Sequence, residues 1–433
     1  MHLKKHLSFS GLIKLLSDRF SRIEDSRRAA SVTHRIHDVF MSGFAMMYFQ
    51  DPSVLSFQHK LMNSTNRCNL QTMFAMQSIP KDSQMRDVLD DAPTDELEGV
   101  FNDYLNALQR GNHLSLYRFL EDYYLLTLDG SEYFASTKIC CPGCLKQTTS
   151  SGEIRYHHQI LQAVLVHPDM KQVLPLAPEA VKNQDGNKKQ DCEINAAKRL
   201  LPKIRQSHPR LKLIVTGDGL YSKQPFIKEL KKADMSYILV AKPTDHDVLF
   251  DWVKGLDETG DLERLEALDA KGKRYVYEWA NAVPLNGQER TETVNFFQFR
   301  IVTKDKVTYK NSWITDIPIS KSNIKDLVRG GRARWKIENE TFNTLKNQGY
   351  NIEHNYGHGS NNLSMSFFLL NLLAFYTHQI LELSDVLYQR CRAEFTSRVE
   401  FWNQLRCTFR FMVFETWECM LEKIIAPPEL APP

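Results

Sequence analysis

The sequence lacks a dominant charge, a dense cysteine framework and any internal repeat. Its 433 residues carry a formal net charge of +3, too little for a whole-protein field, so any nucleic-acid affinity has to come from local basic clusters. The eight cysteines are scattered apart from Cys140, Cys141 and Cys144, which excludes a disulfide-stapled secreted scaffold. The first residues are charged and amphipathic rather than continuously apolar, so no secretory leader is expected, and a reducing cytoplasm suits the thiols best. With 42% apolar and 25% charged residues, general disorder is excluded, and the length allows two or three domains with a real core. Gly359 to Leu381 contains no Asp, Glu, Lys or Arg and is long enough to cross a bilayer. Asn361, Asn362, Asn371 and His378 interrupt it, however, so a helix buried in protein is expected and no membrane partner.

Basic residues gather in two places. Residues 1–36 hold Lys4, Lys5, Lys14, Arg19, Arg22, Arg27, Arg28 and Arg35 against Asp18, Glu24 and Asp25. Residues 321–346 hold Lys321, Lys325, Arg329, Arg332, Arg334, Lys336 and Lys346 against Asp326, Glu338 and Glu340. Each cluster is either a solvated face or a phosphate-contacting surface.

Periodicity divides the chain into regions. Residues 1–115 read as a helical domain, with three-to-four spacing of apolar residues over Phe9–Arg22 and Ala29–Tyr48 and breaks at Pro52, Pro80 and Pro93. Strand-forming runs follow at Tyr123–Gly130, His158–Val166, Leu211–Val215 and Tyr237–Ala241, alternating with helical stretches at Cys192–Gln206 and Gln224–Ala233. That grammar predicts an α/β core with partly parallel pairing, over residues 120–242 and 320–380. Between them, 243–319 reads as a β-rich insertion with antiparallel strands at Arg274–Trp279, Val294–Thr303 and Lys306–Thr315. A helix near Asn323 is expected to break at Gly330-Gly331 and resume over Trp335–Lys346. Helices fill 381–425, and the proline-rich tail 426–433 is expected to be unstructured.

Three carboxylates stand out. Asp129 ends an apolar run before Gly130, and Asp218 lies between Gly217 and Gly219 just after Leu-Ile-Val, both where the carboxyl ends of strands border a ligand crevice in open α/β sheets. Either could instead be a turn former or a helix cap, since Asp-Gly is a common turn dipeptide. Glu338 sits one helical turn after Arg334 and one before Phe342, so a face that buries Phe342 can aim the carboxylate at a sheet. A surface Arg–Glu pair is the plainer alternative. Three carboxylates meeting at one point would repel unless cations bridged them, and Mg²⁺ is the natural hard cation, with Mn²⁺ as a substitute. Two such ions about 3.5–4 Å apart stabilise both the attacking and the leaving oxygen of an in-line phosphoryl displacement.

The segments Leu-Thr-Leu-Asp-Gly-Ser-Glu-Tyr-Phe around Asp129, Ile-Val-Thr-Gly-Asp-Gly-Leu-Tyr around Asp218 and Arg-Trp-Lys-Ile-Glu-Asn-Glu-Thr-Phe-Asn-Thr-Leu-Lys around Glu338 resemble the three acidic motifs of bacterial insertion-sequence DDE transposases, specifically the insertion-sequence-four type. The resemblance covers roughly residues 120–380. It implies a ribonuclease-H-like catalytic core with a β-rich insertion between the second Asp and the Glu, which the spacings of 89 and 120 residues suit. Asp129, Asp218 and Glu338 would then be the catalytic metal ligands, with Glu340 the rival for the third position. Two positions depart from the motif: Gly331 stands where the family commonly has Tyr, and Leu345 where it commonly has Lys, with Lys346 one residue later. The implied activity is cleavage at terminal inverted repeats and joining of 3′-hydroxyl ends to target DNA, by a synaptic homodimer in the cytoplasm at the nucleoid. A nuclease without strand transfer, or an inactive DNA-binding relic, are the alternatives. Double-stranded DNA is the implied partner, with Arg334, Lys346, Arg332, Lys336 and His354 as candidate contacts; Tyr356 and His358, near the Glu-bearing helix, could also touch it.

Cys141-Pro-Gly-Cys144 reads as half a zinc site, a redox pair, or two unliganded thiols. A structural Zn²⁺ would draw on Cys141, Cys144, Cys192 and one of His157 or His158, with His158 preferred.

Overall fold

The computed structural model describes residues 5–61, 63–183, 190–289 and 291–426. The tail predicted from residue 426 lies, but for Ala426, outside them, as does Lys4. The helices α1 (Phe9–Phe20), α2 (Ile36–Tyr48), α3 (Val54–Leu61), α4 (Ser64–Met73), α5 (Asp82–Asp91) and α6 (Asp95–Arg110) come first. Ser8 caps α1 by accepting the Gly11 N–H at 3.2 Å, satisfying one orphan donor of the first turn. The predicted Ala29–Tyr48 helix is shorter than its pattern: Ala29–Ser31 makes one 3₁₀ turn, Val32 is extended, and α2 starts at Ile36. The intervening Ser-Val-Thr run supplies β-branched and hydroxyl side chains that lose most in a helix.

The strands are β1 (Arg118–Phe119), β2 (Tyr123–Ser136), β3 (Leu145–Thr148), β4 (Ile154–Val166), β5 (Leu174–Pro175), β6 (Glu179–Val181), β7 (Lys212–Gly217) and β8 (Ser236–Val240), with α7 (Glu193–Ser207) and α8 (Gln224–Lys232) between them. Then come α9 (Asp247–Thr259), β9 (Glu263–Leu268), β10 (Arg274–Pro284), β11 (Thr293–Thr303) and β12 (Lys306–Thr315). All belong to one sheet whose main path runs β3-β4-β2-β7-β8-β12-β11-β10-β9. β2, β7 and β8 are parallel to one another, β4 is antiparallel to β2, and β12 is antiparallel to β8. This mixed α/β architecture is the ribonuclease-H-like arrangement expected. Leu125, Leu126 and Leu128 of β2 and Leu213, Ile214 and Val215 of β7 are all buried, the continuous apolar run of strands covered on both faces. The antiparallel strands after residue 243 extend this sheet from β8 through the pairs Trp313↔Val240 and Ile314↔Leu239; α9 and β9 are not among the elements expected from the sequence.

The chain closes with α10 (Ile324–Ala333), α11 (Asn343–Asn347), α12 (Leu363–Ser384), α13 (Val386–Ala393), α14 (Arg398–Phe411) and α15 (Trp417–Ile425). The expected break at Gly330-Gly331 is absent, since both glycines lie inside α10. They are packing positions. A Cβ on Gly330 would stand 2.8 Å from the Phe119 ring, and one on Gly331 would stand 2.7 Å from the Trp313 indole nitrogen. α10 can therefore lie close against the sheet, and the helix is interrupted instead at Arg334.

α12 is the one helix among the described residues long and apolar enough to cross a membrane, and 89% of its apolar window is buried inside the protein. The polar residues that interrupt it find protein partners: Asn371 donates to the Tyr350 carbonyl at 2.8 Å, His378 Nδ1 meets the Tyr350 hydroxyl at 2.6 Å, and Ser366 donates to the Leu89 carbonyl at 3.1 Å. Each fully buried Leu or Phe on such a helix contributes about 1.5–3 kcal/mol, so α12 forms the spine on which α2, α5 and α6 pack.

Candidate active site

Register brings the two aspartates together. Thr127 of β2 pairs with Thr216 of β7 in parallel, and their buried hydroxyls are 2.8 Å apart. Two residues further along each chain stand Asp129 and Asp218, on the same side as those hydroxyls by the period of a strand. Asp129 does not end its strand. β2 continues to Ser136 because β4 goes on pairing with it, Asp129 opposite Gln162 and Gly130 opposite Leu161; what stops at Thr127 is the pairing with β7. Asp218 lies just beyond β7 and caps the following 3₁₀ turn, its Oδ1 accepting the Leu220 N–H at 2.9 Å.

Glu338 arrives from the other side. After α10 the helix widens to i→i+5 bonding over Ile337–Phe342 before resuming as α11, and widened turns of this kind recur at functional sites. Arg334 ties the constellation together: its Nη1 donates to Glu338 Oε1 at 3.0 Å and stands 4.0 Å from Asp129 Oδ2. Two carboxylate oxygens 3.0 and 4.0 Å from one nitrogen are no more than 7.0 Å apart. Arg334 is buried, its side chain 9% exposed, and its guanidinium lies 4.5 Å from the centre of the Trp335 ring. It is Glu338, rather than Glu340, that this guanidinium holds.

A fourth carboxylate belongs to the site and was missed in the sequence. Glu193, the first residue of α7, leans over the strand so closely that a Cβ on Gly130 would stand 2.3 Å from Glu193 Oε2. Gly130 is thus glycine for close approach, not for a turn. Tyr221 donates its hydroxyl proton to Glu193 Oε1. An acidic residue in the first turn of a helix is what the macrodipole favours anywhere, so nothing in the sequence distinguished it. Burial pushes the Asp129 carboxyl up to about 7, with Arg334 opposing and the negative charges of Glu193, Glu338 and Asp218 adding to the rise. Burial also raises Glu193, with the Tyr221 hydrogen bond opposing and Asp218 adding. Beside Asp218, the loop after β8 brings Lys242 near Gly219, its Cδ and Cε 3.7 Å from where a Cβ there would stand.

The remaining candidates are spread along the same helical segment. Lys336 donates to the Met170 carbonyl at 2.8 Å. Arg332 is exposed and lies over the Tyr309 and Phe299 rings, 5.1 and 5.8 Å from their centres. Lys346 is paired with Glu353 at 2.7 Å, His354 is exposed and Tyr356 is buried. His358 does not face solvent; it is buried with its Nε2 3.3 Å from Cys144 Sγ. Cys192 is not part of that group: it is exposed at the N-cap of α7, and His157 turns to the opposite face of β4, its Nε2 3.7 Å from Glu132. In the N-terminal basic cluster, Lys14 pairs with Asp18, Arg19 with Glu96 and Asp103, Arg27 with Asp25 and Arg35 with Asp38, so much of its charge is neutralised within the chain.

No curated protein gives a significant match to this chain. A family model described as the transposase DDE domain matches residues 145–376, a span that includes Asp218 and Glu338 and starts after Asp129, whose membership of the site rests on the geometry above. That match takes in more than half of the 433 residues, and with it the chain belongs to the transposase DDE domain family.

Proposed function

We propose that this transposase cleaves DNA at the terminal inverted repeats of an insertion sequence of the four type and joins the freed 3′-hydroxyls to a target duplex. The observation that carries the reading is the gathering of Asp129 and Glu338 around one buried guanidinium, with Asp218 brought alongside by strand register. The donor set is entirely carboxylate oxygen and includes one carboxyl pushed up to about 7 by burial and by its neighbours, the environment in which hard divalent cations relieve repulsion; Asp129, Asp218 and Glu338 would hold Mg²⁺, with Mn²⁺ able to replace it. Bound there, the cations supply Lewis-acid stabilisation of the attacking and leaving oxygens.

The chain's own groups do the positioning. Arg334 holds Glu338 at a fixed angle and shares its charge with Asp129. Glu193, anchored by Tyr221, adds negative charge behind Asp129. Arg332, Lys336, Lys346, His354 and the newly placed Lys242 supply contacts to DNA phosphates around the carboxylates, which set register and salt dependence rather than sequence choice. The helical residues 1–115 contribute repeat binding, the working form is a homodimer that holds two ends together, and the setting is the cytoplasm at the nucleoid.

The test uses the full chain and a labelled repeat end. Asp218→Asn is expected to retain repeat binding while losing cleavage in Mg²⁺; lost binding with preserved cutting would refute the role given to Asp218. Supercoiled plasmid plus a pre-cleaved end then separates strand joining from simple nuclease action, since a nuclease yields nicks and no joined product.

A further inference from the structure

We infer that Cys141, Cys144, His158 and His358 form a structural zinc site, separate from the carboxylate centre. Their ligand atoms all lie within 4.8 Å of one another. Cys141 and Cys144 flank the turn between β2 and β3, His158 lies on β4, and His358 comes from the segment between α11 and α12, 214 residues from Cys144.

Four of the six separations among these atoms come close to a tetrahedron's edges. With Zn–S near 2.3 Å and Zn–N near 2.0–2.1 Å, tetrahedral angles place two sulfurs about 3.75 Å apart and a sulfur and a nitrogen about 3.6 Å apart. The two Sγ atoms are 3.8 Å apart, Cys141 Sγ to His158 Nε2 is 3.4 Å, Cys144 Sγ to His158 Nε2 is 3.6 Å, and Cys144 Sγ to His358 Nε2 is 3.3 Å. A sulfur–sulfur bond needs about 2.05 Å, so the pair is not a disulfide. Two sulfurs and two ring nitrogens suit Zn²⁺ and not the hard cations of the carboxylate centre.

The surroundings hold the ligands in place. Cys144 donates its backbone N–H to the Cys141 carbonyl at 3.2 Å, while the Cys141 N–H points at Cys144 Sγ at 3.4 Å. His358 is fixed from behind: Asp90 of α5 accepts the N–H groups of Ser360, Asn361 and Leu363 at 2.9–3.0 Å, and the Phe134 ring centre lies 4.2 Å from that of His358. Cys144 and His358 are buried and Cys141 and His158 half-buried, and the four protein ligands would fill a tetrahedral coordination sphere, as in structural zinc sites. Its consequence is mechanical. It clamps the segment that follows the Glu338 helix onto the same strand pair that carries Asp129.

The test is metal analysis of the purified full chain, followed by cobalt substitution. We expect about one zinc per chain that survives desalting, and a Co²⁺ form with both a thiolate charge-transfer band and the intense visible bands of a tetrahedral site. Cys141→Ser and His358→Asn should each lose the metal, whereas Cys192→Ser should keep it. Zinc below about one-tenth equivalent together with a cobalt spectrum lacking the thiolate band would overturn the site, as would retention of full zinc in Cys141→Ser. Should those variants fail to fold, the wild-type cobalt spectrum and the loss of thermal stability on chelation still decide. Because Asp218→Asn leaves these four ligands untouched, its zinc content is expected to be unchanged, so failure here and failure of the catalytic reading are told apart.

Discussion

Two clusters of metal-competent side chains lie on the strand pair β2–β4 and could hardly differ more. One is built of oxygens and left open: the Glu338 side chain is 37% exposed and Asp129 22% exposed, and a buried arginine already occupies one flank. The other is built of sulfur and nitrogen and supplies four protein ligands, two of them, Cys144 and His358, buried and two, Cys141 and His158, half-buried. An ion that has to meet a substrate phosphate needs vacant coordination positions and hard ligands, whereas one that only joins segments is best encased in four protein ligands. The same strand pair thus supports a place suited to chemistry and a place suited to holding, distinguished by ligand type and number rather than by fold.

That contrast can be broken or sharpened by substitution. The largest expected effect is on the open cluster: Asp129→Asn or Asp218→Asn should lower the cleavage rate by on the order of 10³-fold or more, equivalent to ~4 kcal/mol of transition-state stabilisation, with zinc content and melting temperature little changed. A parallel loss of zinc would mean that the two clusters are one cooperative unit. Next, Arg334→Ala removes the guanidinium that hydrogen-bonds Glu338 and leaves Asp129 without its opposing charge, so a loss of about 10²-fold is expected, with Arg334→Lys recovering part of it because an ammonium restores charge but not the planar donor. Equal activity of the Ala and Lys variants would show that Arg334 acts through packing alone. Glu193→Gln should cost about 10-fold in cleavage and weaken the Mg²⁺ dependence without affecting repeat binding. An unchanged Mg²⁺ titration would assign Glu193 to holding Tyr221 only. Smallest in catalysis, Gly331→Ala should leave the chemistry nearly intact yet destabilise the chain by about 1–3 kcal/mol, since the new methyl group meets the Trp313 indole; its melting temperature reads this directly. A melting temperature equal to that of wild type would place slack between α10 and the sheet.

Much of the site was legible because its signals are local. Apolar strand runs marked β2, β7 and β8, and motif spacing singled out Asp129, Asp218 and Glu338. What was not legible depends on close approach between distant segments. Asp129-Gly130 looks like a turn, and only the continued pairing with β4 and the Glu193 carboxylate packed over Gly130 explain it as strand. Gly330-Gly331 looks like a helix break, yet its role is to let Phe119 and Trp313 touch the helix backbone. Glu193 has the appearance of an ordinary helix-start acid, and His358 that of a loop residue beside Tyr356. The two cysteines of the proposed zinc group were visible from their spacing; Cys192 was drawn in by count, whereas the fold sends it to an exposed helix cap.

The sequence by itself determined which elements form and which residue types carry chemistry, because strand burial, helix periodicity and the ionisation of Asp, Glu and Arg are properties of short segments. Tertiary structure alone decided which of those groups meet. Parallel register between β2 and β7 sets two aspartates side by side, packing of the helical segment against the sheet brings the local Arg334–Glu338 pair up to Asp129, and a chain reversal brings His358 back to a turn made more than two hundred residues earlier. Those juxtapositions arise from packing across the sheet, which no local pattern encodes.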